Sequence, residues 1–174
     1  MSDGAAGDPG WFAVYTRARH EHAVERYLQR KNLATYLPLK KVWSTRRDRR
    51  KKILLPALPG YLFIHCTMTP DVRAEVKKAP GVVSLISTDG VPSRIPEDQI
   101  SSLRILLESE LEVETLSRFT PGTLVRIRSG PLTGACGILE RVNPGKNRLI
   151  VRIDTIGMAC SVDIHEADVE VISG

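Results

Sequence analysis

Short apolar runs alternate with amphipathic segments through residues 11–109, and one run organises this region. Tyr61-Leu62-Phe63-Ile64 follows a Pro59-Gly60 turn, and it is short, apolar and bounded as a strand buried on both faces usually is. Alternation along this central strand places Tyr61 and Phe63 on the same face. Because most large apolar side chains are buried, composition alone favours core for these two aromatic residues over an exposed docking patch.

The same pattern predicts three helices and further strands around this segment. Thr69-Pro70 places an N-cap before a proline at the first helical position. In the helix expected over 20–32, Val24 and Leu28 recur on one side, whereas Glu21 falls on the polar side. The predicted strands are 11–15, 35–43 and 82–86, and the other two helices begin near 70 and 96. We therefore expect an α+β domain over residues 11–109, an antiparallel sheet flanked by helices, after a disordered tail at 1–10.

Residues 119–174 have a different pattern, in which short apolar runs are separated by Gly and Pro turns. The runs are 124–128, 135–142, 148–153, 159–164 and 169–172. Five short strands in so few residues predict a small, closed or nearly closed all-β barrel. The Glu-rich segment 110–118 between the two regions is expected to be a linker that lets them move independently.

Positive charge is confined to one part of the chain. Residues 1–52 carry 13 Lys/Arg against 5 Asp/Glu, whereas residues 53–174 carry 12 against 15. Within Arg46–Lys52, six of seven residues are basic, and we place them at the tip of a hairpin. Such a cluster is typical of a face that meets nucleic acid, although a solvated hairpin tip has the same composition.

The sequence lacks the residue patterns that several functional classes require. Gly130–Gly137 is glycine-rich but has no lysine and no following helix, so it is interpreted as a tight turn rather than a phosphate-binding loop. His20 and His22 point in different directions on a helix, and three cysteines without metal-type spacing predict neither a metal site nor disulfides. No apolar run approaches the roughly 20 residues of a membrane helix. We expect a soluble, cytoplasmic, monomeric protein that is not an enzyme and needs no cofactor or metal.

Taken together, the two regions resemble the NusG family of bacterial transcription elongation factors. The first resembles the family's N-terminal domain in Trp11–Tyr15, Pro59–Ile64, Pro80–Val83 and Ile95–Ile100, in that order and spacing. The second resembles its C-terminal, SH3-like KOW barrel in Pro121–Ile127, Gly130–Gly134 and Gly137–Leu139. Because KOW segments also occur in ribosomal proteins, the resemblance rests on both sets of motifs occurring in this order.

The resemblance implies that the N-terminal domain binds the clamp helices of RNA polymerase through an apolar concavity and suppresses pausing. By motif position, the polymerase-binding residues are Tyr15, Leu58, Tyr61 and Phe63, which reverses the preference for plain core at the last two. Many members have an aromatic residue where Leu58 stands, so the pocket here is expected to be shallower.

The resemblance also places basic residues near the upstream or non-template DNA strand and the nascent RNA. The nucleic-acid-binding residues expected on this basis are Arg17, Arg19, His20, Arg46, Arg47, Arg49, Arg50, Lys51 and Lys52. Phosphate contacts of this kind add affinity without sequence information.

In the family, the KOW barrel tethers a partner, either the termination factor Rho or a small-subunit ribosomal protein. The partner-binding loop here contains Ile156, Gly157 and Met158, where housekeeping members usually have an aromatic residue and an arginine. This departure disfavours Rho more than the ribosome, and with the basic hairpin it favours a specialised paralog that promotes antitermination. The alternative is a KOW-type RNA-binding or ribosome-associated protein that does not act on RNA polymerase and buries Tyr61 and Phe63.

Overall fold

The computed structural model of the chain describes residues 7–46, 50–164 and 168–173. These residues form fifteen strands, three α-helices and one short 3₁₀ helix, which confirms the predicted α+β class. The strands are β1 (Gly10–Thr16), β2 (Ala34–Tyr36), β3 (Leu39–Trp43), β4 (Lys52–Pro56), β5 (Tyr61–Cys66), β6 (Val82–Leu85), β7 (Ser87–Thr88), β8 (Val91–Pro92), β9 (Arg94–Ile95), β10 (Val113–Leu116), β11 (Leu124–Ile127), β12 (Cys136–Asn143), β13 (Lys146–Ile153), β14 (Met158–Ile164) and β15 (Val169–Ser173). The helices are α1 (Glu21–Arg30), α2 (Pro70–Lys78), α3 (Glu97–Glu108) and the 3₁₀ helix η1 (Asp154–Ile156).

The chain divides into two compact units, and each unit combines two separate segments of the sequence. The first unit contains residues 7–37 and Pro59–Glu97, and the second contains Pro38–Leu58 and the described residues from Asp98 onward. The hairpin β3–β4 and helix α3 therefore belong to the same unit as the C-terminal strands. Among the described residues, no helix has the length and apolar character needed to cross a membrane.

The first unit is built on an antiparallel sheet with strand order β2-β5-β1-β6, and β9 also pairs with β1. Strand β5 lies between β1 and β2, which confirms the interior position predicted for the run after Pro59-Gly60. Helices α1 and α2 are joined by a hydrogen bond that the Tyr27 hydroxyl donates to Glu75 at 3.2 Å. Their apolar residues Val24, Leu28 and Val76 are fully buried and supply the core on the helical side.

Helix α2 begins as the sequence predicted. The Thr69 side chain accepts a hydrogen bond from the backbone N–H of Val72 at 3.2 Å, and Pro70 occupies the first helical position. The cap satisfies an N–H group that would otherwise lack a partner within the helix. Lys77 and Lys78 in the last turn suit the negative end of the helix dipole.

The second unit contains an antiparallel sheet with strand order β10-β14-β13-β12-β11-β15, here called the barrel sheet. All five predicted strands are present, and β10 is a sixth that lies inside the predicted linker 110–118. Thr115 in β10 pairs with Cys160 in β14, so this part of the segment is a sheet edge strand. The domain boundaries themselves remain a prediction.

Helix α3 packs within the second unit through a buried apolar stripe. Ile100, Leu103 and Leu106 are almost fully buried. Ser102 is buried as well, and its hydroxyl accepts a hydrogen bond from the backbone N–H of Cys136 at 2.8 Å. This contact supplies a partner to a polar side chain that burial would otherwise destabilise.

Candidate functional site

One face of the first unit's sheet carries a row of aromatic side chains. The rings of Tyr15 on β1 and Tyr61 on β5 belong to directly paired residues, and their centroids lie 5.1 Å apart. Further along the sheet, Phe63 stacks on Tyr36 at 6.3 Å, and Trp11 meets Tyr36 edge-on at the same distance. Cross-strand aromatic pairs of this kind add stabilisation beyond their buried area.

Exposure differs sharply along this aromatic row. Tyr15 is 39% exposed and Tyr61 is half-buried, whereas Phe63 has no exposed surface. Burial is the main cause that raises the pKa of the Tyr61 phenol, and the neighbouring Tyr15 adds to it. Tyr15 and Tyr61 thus offer a two-ring apolar surface with hydroxyl groups for hydrogen bonds, and Phe63 is core, as composition alone predicted. A direct partner contact by Phe63 stays a prediction.

Leu58, the fourth residue expected at the polymerase-binding surface, belongs to the second unit and is fully buried. Its neighbour Ala57 is also fully buried, and the backbone N–H of Ala57 donates to the carbonyl of Pro38 at 2.8 Å. In this structure Leu58 has no surface to offer a partner. Its assignment to a polymerase contact also stays a prediction.

The turn before β5 is fixed by a buried carboxylate that the sequence pattern missed. Glu21 is only 4% exposed, although helical periodicity placed it on the polar side of α1, and that prediction is wrong. Its Oε1 accepts a hydrogen bond from the backbone N–H of Gly60 at 2.9 Å, while the Gly60 carbonyl accepts from the backbone N–H of Thr16 at 2.7 Å. A carboxylate in the first helical turn also suits the helix dipole. No sequence signal links Glu21 to Gly60, because the partner is a backbone group 39 residues away.

Gly60 is required at this turn for two reasons. Its φ is +86°, a region in which L side chains are strained, and an added Cβ would lie 3.0 Å from Cε2 of Tyr15. The glycine therefore allows the turn backbone to approach the Tyr15 ring closely. In this way the turn, the ring and the carboxylate of Glu21 hold one another in place.

The basic loop between β1 and α1, here residues 17–20, follows directly from Tyr15. Arg17, Arg19 and His20 are all exposed. The backbone N–H of Arg17 donates to the carbonyl of Gly81 at 2.8 Å, and Arg19 has a left-handed φ of 65°. The structure therefore fixes the backbone of the loop and exposes its three basic side chains, of which His20 has its Nδ1 2.9 Å from the carbonyl oxygen of Ala18. Their contact with nucleic acid stays a prediction.

The second basic segment lies at the end of the β3–β4 hairpin in the second unit. Arg46, Arg50, Lys51 and Lys52 are exposed there. Arg47 and Arg49, the other two basic residues predicted to bind nucleic acid, lie outside the described residues. The backbone N–H of Ser44 donates to the carbonyl of Lys51 at 2.8 Å, which extends the hairpin pairing beyond Trp43 and Lys52.

The predicted partner loop of the barrel is a short turn. Ile156 ends η1, and Gly157 follows with a left-handed φ of 66° while its N–H donates to the carbonyl of Asp154 at 3.1 Å. Met158 begins β14 and is half-buried, like Ile156. The turn thus holds two half-buried apolar side chains on either side of an exposed glycine. Binding of a partner by this turn stays a prediction.

Among the residues that the structure describes, no group of three or more His, Cys, Asp or Glu side chains is placed to hold a metal ion. The described features are apolar and basic surfaces. Their chemistry is that of binding through stacking, apolar contact and ion pairing.

Comparison with known proteins identifies the family. The family described as "Transcription termination factor nusG" matches residues 9–104, more than half of the chain. Two proteins named transcription termination/antitermination protein NusG are similar over most of their length. The one from Rickettsia prowazekii is 25% identical over 89% of this chain and 86% of its own. The one from Staphylococcus epidermidis is 25% identical over 94% of this chain and 96% of its own.

Among solved structures, NusG from Thermotoga maritima is similar with a TM-score of 0.58 and 23% identity, covering 97% of this chain and all of that one. This likeness supports the fold described above. The match to the family covers the sheet, the aromatic row and the basic loop of the first unit. The chain therefore belongs to the NusG family.

Proposed function

We propose that this protein is a transcription elongation factor that binds the clamp of RNA polymerase and promotes processive, antiterminated transcription. The observation that carries the proposal is the Tyr15–Tyr61 pair, two rings 5.1 Å apart on the sheet face, one of them 39% exposed. Aromatic side chains in partly desolvated positions are the groups that most often dominate interface energetics. Membership in the NusG family supports a role in transcription, as do relatives named termination/antitermination proteins.

The anchoring of this pair supports the proposal further. A surface that binds a partner loses less conformational entropy if it is already rigid. Tyr15 is held by a paired strand, Tyr61 by the same pairing, and the turn before Tyr61 by the Glu21–Gly60 hydrogen bond. The rings are therefore preorganised.

The exposed basic loop 17–20 supports a contact with DNA next to the polymerase surface. Arg17 directly follows Thr16, the last residue of β1, so its backbone position depends on the same strand as Tyr15. The hairpin basic residues supply a second cationic patch that suits upstream or non-template DNA, or nascent RNA. Such contacts position the protein without reading sequence, and they weaken as salt rises.

The test is co-elution of the full chain with bacterial core RNA polymerase in size-exclusion chromatography. The variant Tyr15→Ala/Tyr61→Ala removes both rings. Val83→Ala is the matched control, because Val83 is a 55% exposed apolar residue on β6 of the same sheet. Circular dichroism of each variant confirms that it is folded.

We expect wild type and the control variant to co-elute, and the double variant to be lost from the complex. A double variant that is folded and still co-elutes would remove the ring pair from the interface. Failure of the wild type to co-elute at low salt, with a nucleic-acid scaffold present, would overturn the elongation-factor proposal in favour of an RNA-binding or ribosome-associated protein.

The barrel turn is proposed to tether a small-subunit ribosomal protein. Ile156 and Met158 flank Gly157 and supply apolar surface for such a contact. The variant Ile156→Asp/Met158→Asp is expected to lose co-sedimentation with small ribosomal subunits while keeping co-elution with polymerase. Retained co-sedimentation of the variant would place the ribosome contact elsewhere, and no co-sedimentation of the wild type would exclude it.

A further inference from the structure

The β3–β4 hairpin exposes more apolar surface than a solvated arm needs. Trp43 is 64% exposed and Leu54, on the same face of the hairpin, is 55% exposed, whereas Leu55, 43% exposed, lies on the opposite face. Large apolar side chains grouped on a surface usually mark an interaction site. The basic residues at the tip of this hairpin are expected to be exposed to solvent. An exposed tryptophan beside them needs another explanation.

Strand register places this tryptophan among cations. Trp43 pairs directly with Lys52, and the next pair on the same face is Lys41 with Leu54. The ammonium of Lys52 lies 5.3 Å from the centroid of the indole ring. One face of the ring therefore carries a cation, and most of the remaining surface of Trp43 is open to solvent.

This combination matches the chemistry of an unpaired nucleotide. Every base offers a flat face that stacks on an aromatic ring, and the phosphates on either side of it attract ammonium and guanidinium groups. Bases in a duplex are already stacked on their neighbours, so they cannot stack on an isolated ring without being extruded. An exposed indole flanked by lysines thus favours single strands over duplexes.

We propose that Trp43 is a stacking platform for a base of single-stranded nucleic acid, with Lys52 positioned to pair an adjacent phosphate. The inference rests on the nucleic-acid contact proposed above for this hairpin, and it specifies the ligand as an unpaired strand. The ring stands at the last pair of the β3–β4 ladder, immediately before the Ser44–Lys51 hydrogen bond. Its position is therefore fixed by the hairpin, and the exposed Arg46, Arg50 and Lys51 follow at once.

Charge favours nucleic acid over a protein partner at this face. Lys41 forms an ion pair with Glu110 at 3.3 Å, and because the two side chains are 48% and 79% exposed, this pair is weak. A cavity of about 310 Å³ opens beside Trp43, but Glu110 and Glu112 also line it. These carboxylates repel phosphates, so the strand is expected to lie outside the cavity, along the lysine-flanked surface of the ring.

The experiment measures binding of the full chain to fluorescein-labelled oligonucleotides by anisotropy, without polymerase. The probes are a DNA strand and an RNA strand of about 12 nucleotides, a length within the usual site sizes, and a DNA duplex of equal length. The variants are Trp43→Ala, Trp43→Phe and Arg50→Gln/Lys51→Gln. Leu54→Ala is the control for apolar surface alone, because Leu54 is similarly exposed on the same face but has no flat ring on which a base can stack.

Trp43→Ala is expected to weaken binding to single strands about tenfold, whereas Trp43→Phe and Leu54→Ala stay close to wild type. Duplex affinity should not change in any of these three variants. Arg50→Gln/Lys51→Gln should weaken all probes and lower the salt dependence. Comparison of the single-stranded DNA and RNA probes shows which of the two nucleic acids is preferred. Single strands should also quench the fluorescence of Trp43, since the other tryptophan, Trp11, is only 8% exposed.

Three results overturn the proposal, and each is distinct. Unchanged single-strand binding by Trp43→Ala, with loss in the charge variant, would leave only phosphate contacts at the hairpin. No binding by the wild type at low salt would remove the nucleic-acid contact itself, while the polymerase proposal would still depend on co-elution. Normal strand binding by Trp43→Ala and Leu54→Ala, combined with lost co-elution, would make the patch a protein-docking surface.

Discussion

The carboxylate of Glu21 accepts a hydrogen bond from the backbone N–H of Gly60, at 2.9 Å and in a buried position. Through this bond the first residue of α1 holds the turn that precedes β5. The same turn receives the N–H of Thr16 from the end of β1. One side chain therefore joins the basic loop 17–20, the turn and the Tyr15–Tyr61 pair into a single rigid feature.

Glu21→Ala is expected to destabilise the protein by about 2 kcal/mol, because it leaves a buried N–H without a charged acceptor. Glu21→Gln should lose less, since the amide oxygen can still accept the bond. Glu25→Ala is the control: Glu25 lies one turn along α1, where it contacts the exposed Gln29, and its loss should change stability by less than about 0.5 kcal/mol. Urea denaturation measures all three. Equal destabilisation by Glu21→Ala and Glu25→Ala would contradict a special role for the Gly60 contact.

Gly60→Ala should destabilise the turn and displace the Tyr15 ring. An alanine at φ +86° is strained, and its Cβ would meet Cε2 of Tyr15 at 3.0 Å. Gly90→Ala is the matched control, because Gly90 also has a positive φ, +78°, but no atom within 4 Å of an added Cβ. Backbone strain alone is expected to cost about 1 kcal/mol in the control, with about 1 kcal/mol more at Gly60.

Co-elution with polymerase is a second measurement for the variants Gly60→Ala and Gly90→Ala. Gly60→Ala should weaken the complex, whereas Gly90→Ala should not, since only the first substitution moves an aromatic ring of the proposed interface. Equal stability losses together with equal co-elution would mean that the close approach of Gly60 to Tyr15 has no energetic consequence.

Cys160 should make stability depend on pH above the neutral range. It is fully buried in β14, and burial raises the pKa of its thiol to about 12, although Lys40 acts in the opposite direction. Because the folded pKa lies above the ordinary value of 9.0, folding favours the protonated thiol. This contribution to stability is fully present below about pH 9 and is lost as the pH rises from 9 toward 12.

The comparison that isolates this effect is wild type against Cys160→Ala, denatured with urea at a pH below 9 and again at a pH between 9 and 12. The wild type should lose more stability between the two conditions than the variant does, by up to about 1.4 kcal/mol for each pH unit. Cys136→Ala, at a half-buried thiol, serves as the control. A constant stability difference between wild type and Cys160→Ala would show that the buried thiol does not titrate as proposed.

Sequence patterns predicted the parts of the fold that depend on local signals. Thr69-Pro70 marked the start of α2 because capping and proline geometry are properties of neighbouring residues. The burial of Glu21 could not be predicted, since helical periodicity sees only α1 and the partner is a backbone group in a distant turn. Strand β10 was missed because a Glu-rich composition suggested a linker, although the apolar-polar alternation of residues 111–114, which leads into the strand, is a signal that could have revealed it.

Prediction of the candidate site from the sequence is limited in the same way. The resemblance to a family placed Tyr15, Tyr61 and Phe63 together by motif position, but only the structure separates the exposed ring of Tyr15 from the buried ring of Phe63. The sequence pattern places Trp43 in a strand and indicates nothing more, because its proposed role in binding depends on Lys52 across the strand pair. Pairing between distant positions determines which aromatic residues face solvent, and periodicity along one segment does not contain that information.

Gly137→Ala should destabilise the barrel sheet more than substitution of a turn glycine by alanine does. An added Cβ would lie 2.4 Å from the carbonyl oxygen of Ile150, which belongs to the paired strand β13 and cannot rotate away as a side chain can. Strands β12 and β13 would have to separate, at a cost of about 3 kcal/mol. Gly145→Ala is the control, because Gly145 has a φ of +81° but open space around it, so backbone strain alone should cost about 1 kcal/mol. Thermal denaturation should show the larger loss for Gly137→Ala; if the loss at Gly145 were equal or greater, close packing between the two strands would not be what requires a glycine there.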